Sequence, residues 1–258
     1  HSFAEAHLLS NRAGNGYAAL GVGFGDNVAV MLNNRLEYLW SWFGLSRIGG
    51  VLVGINTALK GTFLTHVLSN TKARIGLFEP EYLPWLVEIE DTIPDMEVVY
   101  VPGGVYDAGN LPPFKRIQVR NFDDIMAGGE AEIPSADDIS YRDIGMIMFT
   151  SGTTGPSKGA LMPHGHLYLF GHCMQVHLGM TTEDHYYIPM PLFHAQGILM
   201  QLYATLITGG SAVLVRQFRA TTWIDDIRKH KATLANLLGV MNDFVLRQEV
   251  KETDTDNN

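Results

Sequence analysis

Ile144-Gly145-Met146-Ile147-Met148-Phe149-Thr150-Ser151-Gly152-Thr153-Thr154-Gly155-Pro156-Ser157-Lys158-Gly159-Ala160-Leu161-Met162-Pro163 is the stretch around which the rest of the chain is arranged. The apolar run Ile144–Phe149 predicts a buried strand, because it is short, continuous and bounded by turn-forming residues. Ala160–Met162 predicts the return strand. Between the two lies a connection with little side-chain bulk. Gly152, Gly155 and Gly159 permit positive φ and let another molecule approach the backbone closely. Thr150, Ser151, Thr153 and Thr154 add hydroxyl donors to the backbone N–H groups, and Lys158 adds a cation. Clustered donors with one lysine form a concavity suited to a polyphosphate.

The pattern is not the G-x-x-x-x-G-K-[ST] loop of kinases and GTPases. Ser157 precedes the lysine where that loop has Gly, and Gly159 follows it where that loop has Ser or Thr. It resembles instead the signature loop of the adenylate-forming superfamily: acyl-CoA synthetases, adenylation domains of peptide synthetases and beetle luciferases. Thr150 to Gly155, Lys158 and Gly159 match that family's Thr-Ser-Gly-Thr-Thr-Gly-x-Pro-Lys-Gly. Pro156-Ser157 departs from it, since the family more often places its proline directly before the lysine. A change of loop stiffness rather than of chemistry is expected from that departure.

Composition sets the frame. The chain has 258 residues, 46% hydrophobic and 17% charged, which is an ordinary globular balance with room for a large core. Acidic residues number 27 against 18 basic, for a net charge of −9, and no Lys or Arg run appears. Nucleic acid is therefore not an expected partner. The single cysteine, Cys173, cannot close an internal disulfide, which fits a reducing cytoplasm. No Cys/His spacing resembles a metal site. No apolar run reaches the roughly 20 residues that would span a bilayer. The first residue is His1 rather than Met, so the natural N-terminus is expected to lie elsewhere.

Taken in order, strands and helices alternate. Ser2, with Glu5 three residues on, reads as a capping box for a first helix reaching about Leu20, its end weakened by Gly14 and Gly16. Strands are expected over Val28–Leu32, Val51–Ile55 and Arg74–Phe78, and helices over Arg35–Ile48, near Gly61–Asn70 and after Pro80. Residues 87–142 are rich in Pro and Gly and predict only short strands near Val98–Val101 and Arg116–Val119. After the loop come a helix over Gly165–Leu178, a strand at Tyr186–Pro189 and a helix to about Leu206. A strand at Ala212–Val215, a helix at Thr221–His230, a strand at Thr233–Leu237 and a helix from Gly239 to about Val250 complete the pattern. His166, His172 and His177 do not share one helical face, so exposed or capping roles are expected of them rather than a metal site. This alternation predicts an α/β fold with largely parallel β-sheets flanked by helices. Gly25-Asp26-Asn27-Val28-Ala29-Val30, Gly49-Gly50 and Asn56 extend the resemblance, and the layered arrangement of the adenylate-forming enzymes is implied by it.

A second constellation follows. Pro191-Leu192-Phe193-His194-x-x-Gly197 resembles the motif that acyl- and aryl-CoA ligases carry at the acyl pocket, although a histidine at such a turn also serves as a helix cap. The run Phe193–Ile207 contains no Asp or Glu. A buried α-ammonium would need a carboxylate partner, so an uncharged acyl tail is expected. Ala232 to Met241 looks most like ligases of the crotonobetaine/carnitine and medium- to long-chain fatty-acyl type.

The resemblance implies an acid–thiol ligase. A carboxylate attacks the α-phosphate of ATP to give acyl-adenylate and pyrophosphate, and CoA then displaces AMP. Lys158, Thr150 and His194 are its implied catalytic residues. Thr150, Ser151, Gly152, Thr153, Thr154, Gly155 and Lys158 would bind the nucleotide, with Mg²⁺ bridging phosphate oxygens. Phe193, His194 and Gly197 would bind the acid. The resemblance covers essentially all residues as part of an N-terminal domain, with residues 1–142 and 143–250 as its portions and 251–258 as a disordered tail. The family's Tyr-Gly-x-Thr-Glu segment, its ribose-binding aspartate and its C-terminal lid domain do not occur, so turnover by this chain alone is not expected. A non-catalytic nucleotide-binding module and a scaffold on a ligase-like fold are the alternatives.

Overall fold

Ser2 starts the first helix as its sequence predicts. Its N–H donates to the Glu5 carboxylate at 2.7 Å and its hydroxyl accepts the Glu5 N–H at 3.2 Å. The computed structural model describes residues 1–103, 111–129, 132, 138–150 and 156–250. Contacts divide the chain into two compact units, His1–His166 and Leu167–Asn258.

In the first unit, helix α1 (Phe3–Ala19) packs along α2 (Leu36–Ile48). The two approach so closely that a Cβ on Gly44 would lie 2.6 Å from the Gly14 nitrogen. A Cβ on Gly16 would likewise meet the Ile125 carbonyl oxygen. Gly14 and Gly16 are therefore buried inside a continuous helix, where close packing outweighs their poor helix propensity. Tyr17 and Ser41 hydrogen-bond across the buried face at 2.9 Å.

Seven strands form the sheet: β1 (Asn27–Met31), β2 (Val51–Gly54), β3 (Ile75–Phe78), β4 (Val98–Val101), β5 (Gln118–Asn121), β6 (Ile144–Phe149) and β7 (Gly159–Pro163). Their order is β5-β4-β3-β1-β2-β6-β7. All pairs are parallel except β6 with β7, whose short connection permits only an antiparallel return. Crossovers run through α2, α3 (Gly61–Thr71) and α4 (Leu83–Ile89). Every residue of β2 and β3 is buried. Both read as continuous apolar runs because both sheet faces are covered. Around them Met31, Val53, Leu64, Val67, Leu86 and Val99 belong to one core cluster.

Two elements depart from the sequence expectation here. β5 begins at Gln118 rather than Arg116, because the Glu90 carboxylate takes the N–H groups of Lys115, Arg116 and Ile117 at 2.8, 2.7 and 2.7 Å. Those donors are lost to the ladder. Helix α5 (Phe122–Ala127) follows at once, burying Phe122 and Ile125 one turn apart; the Pro- and Gly-rich surroundings conceal it in the sequence.

In the second unit, β8 (His185–Ile188), β9 (Ser211–Leu214) and β10 (Leu234–Ala235) form a parallel sheet in the order β10-β8-β9. Helix α6 (His164–Leu178) starts in the first unit's last residues, and α7 (Ala204–Thr208), α8 (Trp223–Lys229) and α9 (Gly239–Leu246) follow. The helix expected after Pro191 opens as a π-helix, Gln196–Tyr203, before tightening into α7. β10 is shorter than Thr233–Leu237 because side-chain bonds occupy the expected ends. The Thr233 hydroxyl donates to Asp184 at 2.7 Å and accepts the His185 N–H at 3.0 Å, while Asn236 bonds to two glutamines. α9 stops at Leu246, which is exposed like Val250 beyond it, so no buried face extends the helix. The tail expected from Lys251 onward lies outside the described residues. Among the described residues no helix is long and apolar enough to cross a membrane.

Candidate functional site

Strand β6 ends at the carboxyl edge of a parallel neighbourhood, where α/β sheets place their ligands. Its register beside β2 runs Leu52↔Met146 to Gly54↔Met148, so Phe149 and Thr150 emerge at that edge. On the other side Phe149 pairs with Gly159 of β7. The Thr150 N–H donates to the Lys158 carbonyl at 3.0 Å, closing the neck of the hairpin. A Cβ on Gly159 would stand 2.9 Å from Ile147 Cγ2, so the glycine lets the return strand lie flat on β6. Thr150 and Lys158 are both exposed, with the hydroxyl and the ammonium on the same short neck. Ser151, Gly152, Thr153, Thr154 and Gly155, the rest of the expected phosphate loop, lie outside the described residues.

The return arm has a partner that the sequence did not disclose. His66 Nε2 of α3 stands 2.8 Å from the Ser157 carbonyl oxygen, and Asn70 Nδ2 stands 3.1 Å from His66 Nδ1. Nothing local distinguishes His66 from an ordinary helix-surface residue. Only the crossover that brings α3 over the sheet makes it a neighbour of the loop. At the other end of the hairpin, His164 is half-buried. Burial pulls its pKa below the ordinary imidazole value, with Asp143 opposing.

The second motif lies at the carboxyl end of β8, again the ligand-bearing edge of parallel strands. The His194 N–H donates to the Pro191 carbonyl at 3.1 Å, and the His194 carbonyl accepts the Ile198 N–H at 3.1 Å. Its imidazole Nδ1 accepts the Gln196 N–H at 3.3 Å, which leaves the ring proton on Nε2. His194 thus caps the helix and keeps an exposed edge. Phe193 is half-buried and Gly197 is buried. A Cβ on Gly197 would lie 2.3 Å from the Pro191 oxygen and 2.6 Å from the Met190 oxygen. The motif glycine is therefore the contact that lets the helix begin directly over the strand end. Asn236 clamps the same helix: its Oδ1 accepts from Gln196 at 2.7 Å and its carbonyl accepts from Gln201 at 3.1 Å. The sequence does not single out these three amides, since Asn236 lies 40 and 35 residues from the two glutamines and only the packing of the unit joins them.

His166, His172 and His177 are exposed along α6, and His172 Nδ1 bonds to Gln175 at 3.2 Å. Among the described residues no group of three His, Cys, Asp or Glu side chains is placed to hold a metal.

Comparison with known proteins agrees with this arrangement. The family model described as AMP-binding enzyme matches residues 1–257. A crotonobetaine/carnitine–CoA ligase of Salmonella enteritidis is 28% identical over 254 residues, covering 98% of this chain and 48% of that protein. One from Citrobacter koseri is 28% identical over 243 residues, covering 93% and 45%. The chain thus spans about half the length of these curated relatives. Among solved structures, an anthranilate CoA ligase in complex with anthranoyl-AMP superposes with a TM-score of 0.80 at 27% identity, covering 89% of this chain and 43% of the other. A long-chain-fatty-acid-CoA ligase from Archaeoglobus fulgidus shares the fold with a TM-score of 0.82 at 21% identity, covering 95% and 46%. With a family match along nearly its whole length, and with Thr150, Lys158 and His194 just beyond the carboxyl ends of parallel strands, the chain belongs to the AMP-binding enzyme family of the adenylate-forming superfamily.

Proposed function

We propose that the full-length protein is an acyl-CoA ligase that converts a carboxylic acid to its acyl-adenylate with ATP and then to a thioester with CoA. The observation that carries this reading is the hairpin neck. Thr150 and Lys158 are held together at the carboxyl edge of the sheet, with the lysine ammonium exposed beyond a fixed backbone. A cation held this way can take up the β- and γ-phosphates at little cost in reorganisation. Ser151, Gly152, Thr153, Thr154 and Gly155 complete that cradle in this reading. Magnesium enters as the metal of the nucleotide, neutralising charge on the phosphate oxygens. Adenylation is then chiefly positioning: the acid carboxylate is aligned with the α-phosphate, and pyrophosphate leaves with its charge stabilised.

Phe193, His194 and Gly197 form the acid-binding turn in this reading. With Nδ1 accepting from Gln196, the imidazole of His194 offers an Nε2–H donor to a carboxylate oxygen, and Phe193 offers an apolar wall. The absence of Asp and Glu from Phe193–Ile207 supports an uncharged acyl tail. Residues 1–142 and 143–250 are proposed as portions of one larger N-terminal domain. The lone Cys173 suits a reducing, cytoplasmic setting.

Acid-dependent ATP–pyrophosphate exchange on the full-length protein tests the reading, with acids from acetate to palmitate and with carnitine. Exchange with an acid whose tail is uncharged, reduced about a hundredfold or more in Lys158→Ala, is the expected result for loss of a preorganised cation. Unchanged exchange in that variant removes Lys158 from the mechanism. ATP binding without exchange for any acid makes the protein a nucleotide-binding module instead.

A further inference from the structure

Two consecutive carbonyls on the return arm of the hairpin are fixed by different parts of the first unit. The Lys158 carbonyl accepts the Thr150 N–H at 3.0 Å. The Ser157 carbonyl is met at 2.8 Å by His66 Nε2, from 91 residues earlier in the chain. A carbonyl oxygen can only accept, so Nε2 carries a proton, and Nδ1 is left to accept from the Asn70 amide. The Asn70 amide matches that tautomer. Its Nδ2 lies 3.1 Å from His66 Nδ1 and also donates to the His66 carbonyl at 2.6 Å. Asn70 is one helical turn beyond His66, on the same face of α3, where such pairs meet. The ring is half-buried, which strengthens the bond relative to one in open water.

The Ser157 carbonyl belongs to the peptide plane before Lys158 Cα, and the Lys158 carbonyl to the plane after it. With both planes held, the lysine backbone is fixed, and its remaining freedom is the rotamers of its exposed side chain. We propose that His66, oriented by Asn70, is a positioning residue for Lys158, delivering the ammonium to the nucleotide phosphates from a backbone that cannot swing. The inference rests on the phosphate role proposed above for Lys158. Because the hydrogen bond serves the nucleotide and not the acid, its loss weakens ATP selectively.

The test uses the full-length protein with His66→Phe, which fills the space without a donor, and His66→Gln, whose amide carries a donor to similar reach. The expected result is a rise in KM for ATP of about three- to tenfold in H66F, the worth of one net hydrogen bond, with the KM for the acid unchanged. H66Q recovers most of that loss. The proposal is overturned by an unaltered KM for ATP in H66F, by an equal rise in both KM values, or by H66Q performing no better than H66F. Should H66F fail to fold, Asn70→Ala at its exposed position decides the matter: a raised KM for ATP supports the relay and an unchanged one overturns it. If the wild-type protein shows no exchange with any acid, the ligase reading fails by itself. Calorimetric titration of the same variants with ATP then decides His66, weaker binding by H66F than by H66Q supporting it and equal binding overturning it.

Discussion

Glu90 shows how one residue sets local structure in this protein. It is 2% exposed, and its carboxylate accepts three consecutive backbone N–H groups just before β5. Burial pushes its pKa up, but those N–H bonds and the nearby Arg116 outweigh burial and hold it below the ordinary glutamate range. A carboxyl whose folded pKa is lowered stabilises the fold above its unfolded pKa and loses that contribution as pH falls through the folded value. Glu90→Gln is therefore expected to lower stability by about 1–3 kcal/mol at neutral pH, the cost of buried N–H groups left without a proper acceptor. The difference from wild type should shrink below about pH 4.5. Urea unfolding of both proteins at pH 7 and at about pH 3, below the ordinary carboxylate range, checks this, and a difference independent of pH would show that the charge is not what matters. At the same scale, Lys158 and Thr150 could be chosen from the sequence because loop chemistry is written in residue types. His66 could not, because its role depends on a neighbour remote in sequence.

Among the elements, the turn into the π-helix is the most sharply constrained. The Gln196–Tyr203 segment starts over the carbonyls of Met190 and Pro191, and the Gly197 backbone occupies the space a side chain would need. Gly197→Ala is expected to cost about 1–3 kcal/mol by overpacking, seen as a lower unfolding midpoint. In the full-length protein it should also raise the KM for the acid more than that for ATP, since the displaced turn carries His194. A variant with wild-type stability would mean that the helix start shifts freely. The sequence called for a helix here, correctly, but its hydrophobic spacing carries no sign of the wider π geometry. That geometry coincides with the clasp of Gln196 and Gln201 on Asn236.

For the whole molecule, burial grades outward across the large sheet. β2 and β3 are wholly buried, whereas β5, at one edge, alternates exposed and half-buried residues. Amide hydrogen exchange is expected to be slowest on β1, β2 and β3 and about tenfold or more faster on β5, with Glu90→Gln accelerating β5 further. Exchange on β5 as slow as on β1 would contradict this grading. The sequence by itself determined the α/β class, the order of nearly every element and the family signature. Those follow from apolar runs, capping residues and Gly/Thr-rich turns, which act over a few neighbours. Tertiary structure alone decided where β5 and β10 begin and end, that the expected last turn of α9 does not form, and that α5 exists. It also decided that His66 reaches the Ser157 carbonyl. Each of these depends on which groups compete for the same backbone donors and apolar surfaces once distant segments are brought together, and spacing along the chain does not carry that information.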